Sequence, residues 1–259
     1  MPAELKSASQ GETLVLTISN PEQRNALGPE IYAAGVEALS VAESQPQVRS
    51  VVITGEGATF CAGGNLQRLL DNRRRPPEVQ AQSIEGLNNW IEAIRTFPKP
   101  VIAAVEGAAA GAGLSLALGC DFVVAAENAI FLMAHVHIGL SPDGGGSWFL
   151  GRALPRQLAS ELMLEGERIS AQRLHALGMV NRISAPGAAL SEALALAERL
   201  NAKAPNAIAS IKDLMNEAAQ ATLSQQLALE RNHFVTNLHH VNAGIGIEAF
   251  LAKRKPRYE

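Results

Sequence analysis

An aspartate followed by three glycines is the stretch of this sequence whose residue types point most directly to chemistry. It reads SPDGGGS, spans residues 141–147 and carries Asp143 as its acid. Glycine runs mark tight turns or backbones that another group approaches closely. Taken alone, Asp143 is expected to cap a helix that begins near residue 145. A carboxylate beside a glycine-rich turn is also a candidate acid or base, so both roles remain open.

A second glycine-rich stretch, GAGLSLA at residues 111–117, follows an apolar strand predicted for residues 101–105. Its outline, G-x-G-x-x-A, resembles a dinucleotide-binding fingerprint. The match does not lie at the first strand–helix unit, and residues 131–133 carry no acid that would bind a ribose hydroxyl. We therefore do not expect a dinucleotide-binding site here. Another group is expected to approach the backbone of this stretch closely.

The stretch FCAGGN at residues 60–65 follows a predicted buried strand and precedes a helix expected to begin near Leu66. Its pair of glycines leaves backbone N–H groups free at the start of a helix, where they can bind an anion or a developing oxyanion. Taken alone, a simple loop that leads into the helix is the better explanation of these residues.

Two histidines, His135 and His137, are separated by one residue and would share one face of a strand. The pattern H-x-H can bind a metal ion, but the sequence shows no clear third and fourth ligands, so no metal site is expected. A packed or surface position is the preferred interpretation. The pair at residues 239–240 falls in a predicted helical stretch and is expected at the surface.

Strand and helix patterns decide how these residues are positioned. Strands are predicted for residues 12–19, 48–55, 101–105, 121–127 and 178–184, with further β-like sequence at 129–140. Helices are predicted for residues 29–43, 81–97, 113–119, 145–154, 187–203, 206–221 and 223–238. Strands that alternate with helices, followed mainly by helices, predict an α/β core with an α-helical C-terminal region.

Composition narrows the classes of function. The chain has 259 residues, 47% of them hydrophobic, and a net charge of −3, which offers no basic surface for nucleic acid. Its two cysteines, Cys61 and Cys120, are far apart in the sequence and indicate a reduced compartment without disulfides. The N-terminus lacks an apolar signal segment, and charges interrupt the apolar stretch at 101–126. We therefore expect a soluble cytoplasmic protein that does not span a membrane.

Five segments together resemble one family. They are PEQRNAL (21–27), FCAGGNL (60–66), PKPVIAAVEGAAAGAGLSLALGCDFVVAAENAIF (98–131), GLSPDGGGSWFLGRALP (139–155) and GIEAFLAKRKP (246–256). In this order and spacing they are similar to the crotonase superfamily, which is the enoyl-CoA hydratase/isomerase family. The resemblance implies an α/β fold whose core is a spiral of ββα turns, followed by a C-terminal α-helical trimerisation region. We expect the core over residues 1–195, the helical region over 196–259, and a homotrimer or a dimer of trimers.

The resemblance also implies a substrate and a site. Family substrates are acyl-CoA thioesters, so coenzyme A arrives with the substrate and no metal or redox cofactor is expected. Two main-chain N–H groups hold the thioester oxygen in the family, and motif alignment places them at Gly64 and Ala112. The positions aligned with family contacts to coenzyme A are Arg24, Asn25, Ala26, Leu27, Ala62, Gly63, Phe250 and Lys253, the last two reaching a neighbouring subunit.

The sequence departs from the family's hydratases at the two glutamates that activate water, because these positions hold Ser115 and His135. Asp143 aligns with a position at which several family isomerases carry a working carboxylate. We expect Asp143 to act as acid and base, with His135 and Ser115 as further catalytic candidates. Isomerase-like or atypical chemistry is favoured over simple hydration, and a non-catalytic acyl-CoA-binding protein is the alternative.

The segment HVHIGLSPDGGGSWFL (135–150) is in addition similar to family members associated with phenylacetate degradation. This similarity points to an aromatic or cyclic acyl group.

Overall fold

The computed structural model of the protein describes residues 3–259. Within these residues the strands are β1 (Glu4–Gln10), β2 (Thr13–Ser19), β3 (Ser50–Gly55), β4 (Val101–Val105), β5 (Ala108–Ala110), β6 (Phe122–Ala126), β7 (Ile130–Leu132), β8 (Ile169–Ser170) and β9 (Arg182–Ser184). The helices are α1 (Pro29–Ser44), α2 (Leu66–Asn72), α3 (Pro77–Thr96), α4 (Ala112–Gly119), α5 (Gly146–Ala153), α6 (Arg156–Ser160), α7 (Ala171–Ala176), α8 (Ala189–Asn201), α9 (Pro205–Ala218), α10 (Leu223–Leu238) and α11 (Val241–Leu251).

The main sheet of the described chain has six strands in the order β1-β2-β3-β4-β6-β9. β1 and β2 pair antiparallel, and the other neighbours pair in parallel. Every residue of β4 is buried, and so are the first five residues of β3. Continuous apolar strands of this kind form where helices cover both faces of a parallel sheet, as the patterns at 48–55 and 101–105 predicted. β1 was not predicted because its sequence, ELKSASQ, is mostly polar and exposed at the sheet edge.

Alternate residues of the central strands build two separate layers of core. In β3, Val51 and Ile53 join the larger core under α1 and α3, whereas Val52 faces the smaller core under α8. This division follows from the two-residue period of a strand. Each of these fully buried side chains contributes about 1.5–3 kcal/mol of hydrophobic stabilisation.

Helix α8 covers the second face of the sheet through Ala189, Ala193, Leu196 and Ala197. Glu106 fixes its start, because the carboxylate accepts hydrogen bonds from the N–H of Ala189 at 2.8 Å and the N–H of Gly187 at 3.1 Å. A carboxylate at this end complements the positive pole of the helix dipole. The predicted boundary between residues 195 and 196 falls inside this helix.

A small second sheet, in the order β5-β7-β8, lies beside the main sheet. Its first strand consists of three alanines, a residue with weak preference for strands, and none of the predicted strands includes it. The strand forms because β7 and the loop around Cys61 supply hydrogen-bonding partners on both of its edges. Tertiary context therefore overrides the local preference at residues 108–110.

Two predictions for histidines are wrong. Strand β7 ends at Leu132, and Ala134–Ile138 form a 3₁₀ turn, so His135 and His137 do not share a strand face. In a helix of three residues per turn, side chains two positions apart point in different directions. His239 and His240 do not lie within a helix either, since His240 precedes α11 and its Nδ1 accepts a hydrogen bond from the N–H of Asn242, but both are exposed, as expected.

The three C-terminal helices α9, α10 and α11 are only loosely covered by the rest of the chain. α9 and α10 contain no buried residue, although both are well formed. No helix within residues 3–259 combines the length and apolar character needed to cross a bilayer.

Candidate active site

The loop that follows β3 and the start of α4 are held side by side at the end of the parallel strands. The N–H of Cys61 donates to the carbonyl of Ala108 at 3.0 Å, and the N–H of Ala110 donates to the carbonyl of Cys61 at 2.9 Å. Gly63 has a φ of +95°, and a Cβ on it would lie 2.8 Å from the carbonyl oxygen of Ala110 and 3.4 Å from the nitrogen of Ala112. Only glycine fits this backbone and this close approach.

Two amides at this junction have no acceptor within the described residues. They belong to Gly64 and to Ala112, the first residue of α4. The first N–H groups of a helix have no partner inside the helix and carry its positive pole. Two such donors on adjoining loops are the arrangement that binds an oxygen bearing developing negative charge.

A partly buried aspartate–histidine pair lies against the turn that precedes Ala112. Nε2 of His135 and Oδ1 of Asp143 are 3.1 Å apart, and the two side chains expose 10% and 25% of their surfaces. A Cβ placed on Gly111 would lie 3.4 Å from Cε1 of His135, so the imidazole packs directly against the turn that precedes Ala112. Nδ1 of His135 is buried without a partner in the described chain. This fits a ring that carries its proton on Nε2 and donates it to the carboxylate.

The side chain of Asp143 does not cap α5, so the expectation of a capping role is wrong. Gly145 occupies the cap position with a φ of +81°, and no side chain caps this helix. Asp143 contributes its main-chain carbonyl instead, which accepts hydrogen bonds from the N–H of Gly146 at 3.1 Å and from Oγ of Ser115 at 2.8 Å. The carboxylate is thereby left free to face His135.

Ser115 supports the turn that carries Asp143. The residue is fully buried on α4, and its hydroxyl is engaged by the carbonyl of Asp143. A Cβ on Gly146 would lie 2.7 Å from Oγ of Ser115, and a Cβ on Gly144 would lie 3.2 Å from Cβ of Ser115. The glycine run therefore lets the turn pack tightly on α4.

The nearby cysteine is not a nucleophile at neutral pH. Burial raises the pKa of Cys61 to about 12, and the negative charge of Asp143 adds to the increase. The thiol therefore stays protonated, whereas a cysteine nucleophile acts as the thiolate.

The segment expected to contact coenzyme A is attached to the loop at 60–65. The N–H of Ala62 donates to the carbonyl of Arg24 at 3.0 Å, and the N–H of Leu27 donates to the carbonyl of Gly63 at 2.8 Å. The side chain of Asn25 is fully buried, and its amide donates to the carbonyls of Glu56 and Thr59. Its side chain therefore holds the loop together.

The other aligned residues differ in exposure. Ala26 and Leu27 are buried, whereas Arg24 and Ala62 are exposed. Phe250 lies on α11, which packs against α10, and 83% of its surface is exposed. Lys253 lies two residues beyond the end of that helix and is exposed as well. Within one chain these two residues lie at the end of the C-terminal region.

Apolar side chains are exposed around the aspartate. Ile138 and Leu140 follow His135 along the chain, and Trp148 lies on α5, where Arg152 stacks over its ring at 4.1 Å. Two cavities, of about 510 Å³ between α1 and α3 and about 300 Å³ near Arg49 and the start of β4, are not lined by Asp143.

A parallel sheet whose strand ends present two free amides and a partly buried acid defines an α/β enzyme of the crotonase fold. The chain belongs to the enoyl-CoA hydratase/isomerase family: the family profile described as Enoyl-CoA hydratase/isomerase matches residues 9–259. The family and the fold expected from the five sequence segments are thereby confirmed, and the protein is an enzyme of this family.

Individual relatives are similar over nearly the whole chain. The 1,2-epoxyphenylacetyl-CoA isomerase of Escherichia coli (strain K12) is 37% identical, over 95% of this chain and 94% of the relative. The 2,3-dehydroadipyl-CoA hydratase of the same strain is 34% identical, over 99% of both chains. The crystal structure of an enoyl-CoA hydratase from Polaromonas sp. JS666 superposes with a TM-score of 0.98 at 72% identity, over 99% of this chain and 100% of that one.

Proposed function

We propose that the enzyme moves a proton between carbons of an acyl-CoA thioester, with Asp143 as the acid and base. The observation that carries this proposal is the position of the Asp143 carboxylate. It does not cap α5 and pairs instead with His135, which packs against the turn before Ala112. A carboxylate that accepts no hydrogen bonds from helix N–H groups is available to take and return a proton.

The chemistry follows from the arrangement of these groups. The amides of Gly64 and Ala112 bind the thioester oxygen, and Asp143 removes a proton from a carbon of the acyl group. The electron pair moves to the oxygen as an enolate, which the two amides stabilise, and the loss of one such donor costs about 3–4 kcal/mol in other enzymes. Asp143 then returns the proton to a different carbon. Atoms and electrons balance within the substrate, so this reaction requires no redox partner.

Isomerisation is favoured over hydration because Asp143 is the proposed acid and base and neither glutamate of the hydratases is present. At the two positions of the hydratase glutamates, Ser115 binds the carbonyl of Asp143 and His135 binds its carboxylate. We assign both residues to positioning Asp143. The relative named 1,2-epoxyphenylacetyl-CoA isomerase supports isomerase chemistry on a cyclic acyl group, and the exposed apolar surface around Trp148 suits such a group.

The proposed binding of coenzyme A uses two segments. The exposed Arg24 and Ala62 and the buried Gly63 would contact it from the same chain, and the exposed Phe250 and Lys253 would contact it from a neighbouring subunit. A lysine beside a phosphate is electrostatically favourable.

Replacement of Asp143 by asparagine tests the proposal. Turnover of 3-enoyl-CoA and cyclic acyl-CoA substrates is expected to fall about 10³-fold, whereas the Kd for the thioester changes less than about threefold, because the amide keeps the shape of the side chain. Asp213→Asn is the matched control, since Asp213 forms the same kind of pair with His233 at 3.3 Å but is exposed. Unchanged turnover in Asp143→Asn would refute the role of Asp143.

A panel of 2-enoyl, 3-enoyl, hydroxyacyl and cyclic acyl-CoA substrates tests the non-catalytic alternative. Tight binding by the native protein without turnover of any of them would favour that alternative.

A further inference from the structure

The turn that carries His135 is attached to other segments on both sides of that residue. Before it, the carbonyl of Leu132 accepts a hydrogen bond from the N–H of Gly111 at 2.9 Å. After it, Nε2 of His137 lies 2.8 Å from the carbonyl oxygen of Gly166. A carbonyl oxygen only accepts hydrogen bonds, so Nε2 of His137 carries a proton and donates it. His137 has no role in the function proposed above.

Gly166 fits closely against the same turn. It is buried, has a φ of +65° and ends a π-helical turn formed by Glu161–Glu165. A Cβ on Gly166 would lie 2.8 Å from Nε2 of His137 and 2.7 Å from Cγ1 of Val136. The left-handed backbone and this close approach both favour glycine. They bring the carbonyl of Gly166 within hydrogen-bond distance of the imidazole.

The two histidines move together because they lie two residues apart in one short 3₁₀ turn, Ala134–Ile138. Hydrogen bonds within such turns have poorer geometry than those of an α-helix, so outside contacts decide where a short one lies. The place of His135 matters at two points: its Nε2 is 3.1 Å from Oδ1 of Asp143, and its ring packs against the turn at Gly111. A shift of the 3₁₀ turn would lengthen the bond to Asp143 and loosen the packing against Gly111.

We propose that His137 is a positioning residue of the active site. By donating to the carbonyl of Gly166 it fixes the 3₁₀ turn, and the fixed turn holds Nε2 of His135 towards the carboxylate of Asp143. This inference rests on the proposed function of the Asp143 site. The role requires a hydrogen-bond donor at residue 137 and not a charge, so an amide that reaches the same carbonyl should replace the imidazole.

Steady-state kinetics of variants at residue 137 form the first part of the test. His137→Leu is expected to lower kcat for 3-enoyl-CoA substrates about tenfold, because the acid–base pair is displaced. KM should change less than about twofold, because the groups proposed to bind the thioester stay in place. His137→Gln keeps a donor and should retain kcat within about threefold.

His175→Leu is the matched control for the loss of an imidazole–carbonyl hydrogen bond. Nδ1 of His175 donates to the carbonyl of Val180 at 2.7 Å, and His175 is exposed like His137. It lies on α7, which packs against β8 and β9. His175→Leu should therefore leave kcat unchanged.

NMR of ¹⁵N-histidine-labelled protein at pH 8 reports on the ring of His135 without any turnover. Native protein should show Nε2 of His135 as a protonated ring nitrogen and Nδ1 as an unprotonated one, since Nδ1 is buried without a partner in the described chain. The two signals are identified by their absence in His135→Gln. In His137→Leu they should move towards each other, because a ring that Asp143 no longer holds exchanges between its tautomers.

Gly166→Ala displaces the same contact from its other side. It should lower kcat and move the His135 signals as His137→Leu does. Full kcat in both variants, or a fall in kcat with the His135 signals unmoved, would overturn the inference. A wrong assignment of Asp143 would show separately, as unchanged turnover in Asp143→Asn while His137→Leu still moves the His135 signals.

Discussion

At the scale of single residues, the site depends on side chains and glycines whose roles come from distant neighbours. Asp143 is positioned by His135, eight residues away, and by Ser115, 28 residues away. The sequence pattern identified all three positions, but helix capping was the better local expectation for Asp143. Contacts between residues far apart in sequence reversed that preference.

Gly63→Ala is expected to destabilise the protein by about 3 kcal/mol, because a positive φ and a clash with the carbonyl of Ala110 add together. Turnover is also expected to fall at least about tenfold, because relief of the clash moves the amide of Gly64 away from that of Ala112. Urea denaturation and steady-state kinetics measure the two effects. Gly178→Ala is the matched control, since Gly178 has a φ of +79° and open space around it, and should cost about 1 kcal/mol. Equal losses in the two variants would show that backbone conformation alone matters.

At the scale of elements, apolar runs in the sequence predicted the central parallel strands well. The short strands form only because neighbouring segments supply their hydrogen bonds. β5 exists because its neighbours supply hydrogen bonds to three alanines, and the β-like sequence after Leu132 forms a 3₁₀ helix.

The attachment of α9 to the sheet is another feature that no local pattern encodes. Lys212 of α9 reaches Asp121 at the start of β6 with an Nζ–Oδ2 distance of 2.5 Å and donates to the carbonyl of Lys99 at 2.9 Å.

Lys212→Met is expected to destabilise the protein by about 3 kcal/mol near pH 7, because it leaves a buried carboxylate without its cation. Burial raises the pKa of Asp121 above its unfolded value, and loss of Lys212 raises it further. The folded variant then binds more protons than the unfolded chain, so its stability falls as pH rises through the interval between the two pKa values. Urea denaturation at pH 5 and pH 8 should therefore show the larger deficit at pH 8. Lys203→Met, at an exposed lysine, is the control with less than about 0.5 kcal/mol of change.

At the scale of the whole molecule, the C-terminal helices expose apolar side chains that the rest of the chain does not cover. They include Ile211, Met215, Leu223, Leu227, Phe234, Val235, Leu238, Val241, Ile247, Phe250 and Leu251. Exposed apolar side chains in this number are expected to be covered by another subunit. The trimer or dimer of trimers expected from the family resemblance would bury it, and this assembly stays a prediction.

The double variant Leu227→Glu, Phe234→Glu is expected to dissociate that assembly, because the two residues lie seven positions apart on one face of α10 and would bring buried charges into the interface. Size-exclusion chromatography with light scattering should show a trimer or hexamer for the native chain and a smaller species for the variant. Val41→Glu, an exposed apolar position on α1, should leave the mass unchanged. A native chain that runs as a monomer would contradict the assembly itself.

The sequence by itself determined the family, the buried central strands and the positions of the glycines at the site, because these depend on local composition and on ordered motifs. Only the tertiary structure decided where the carboxylate of Asp143 points, because the turn rests on a serine and a histidine that the fold brings to it.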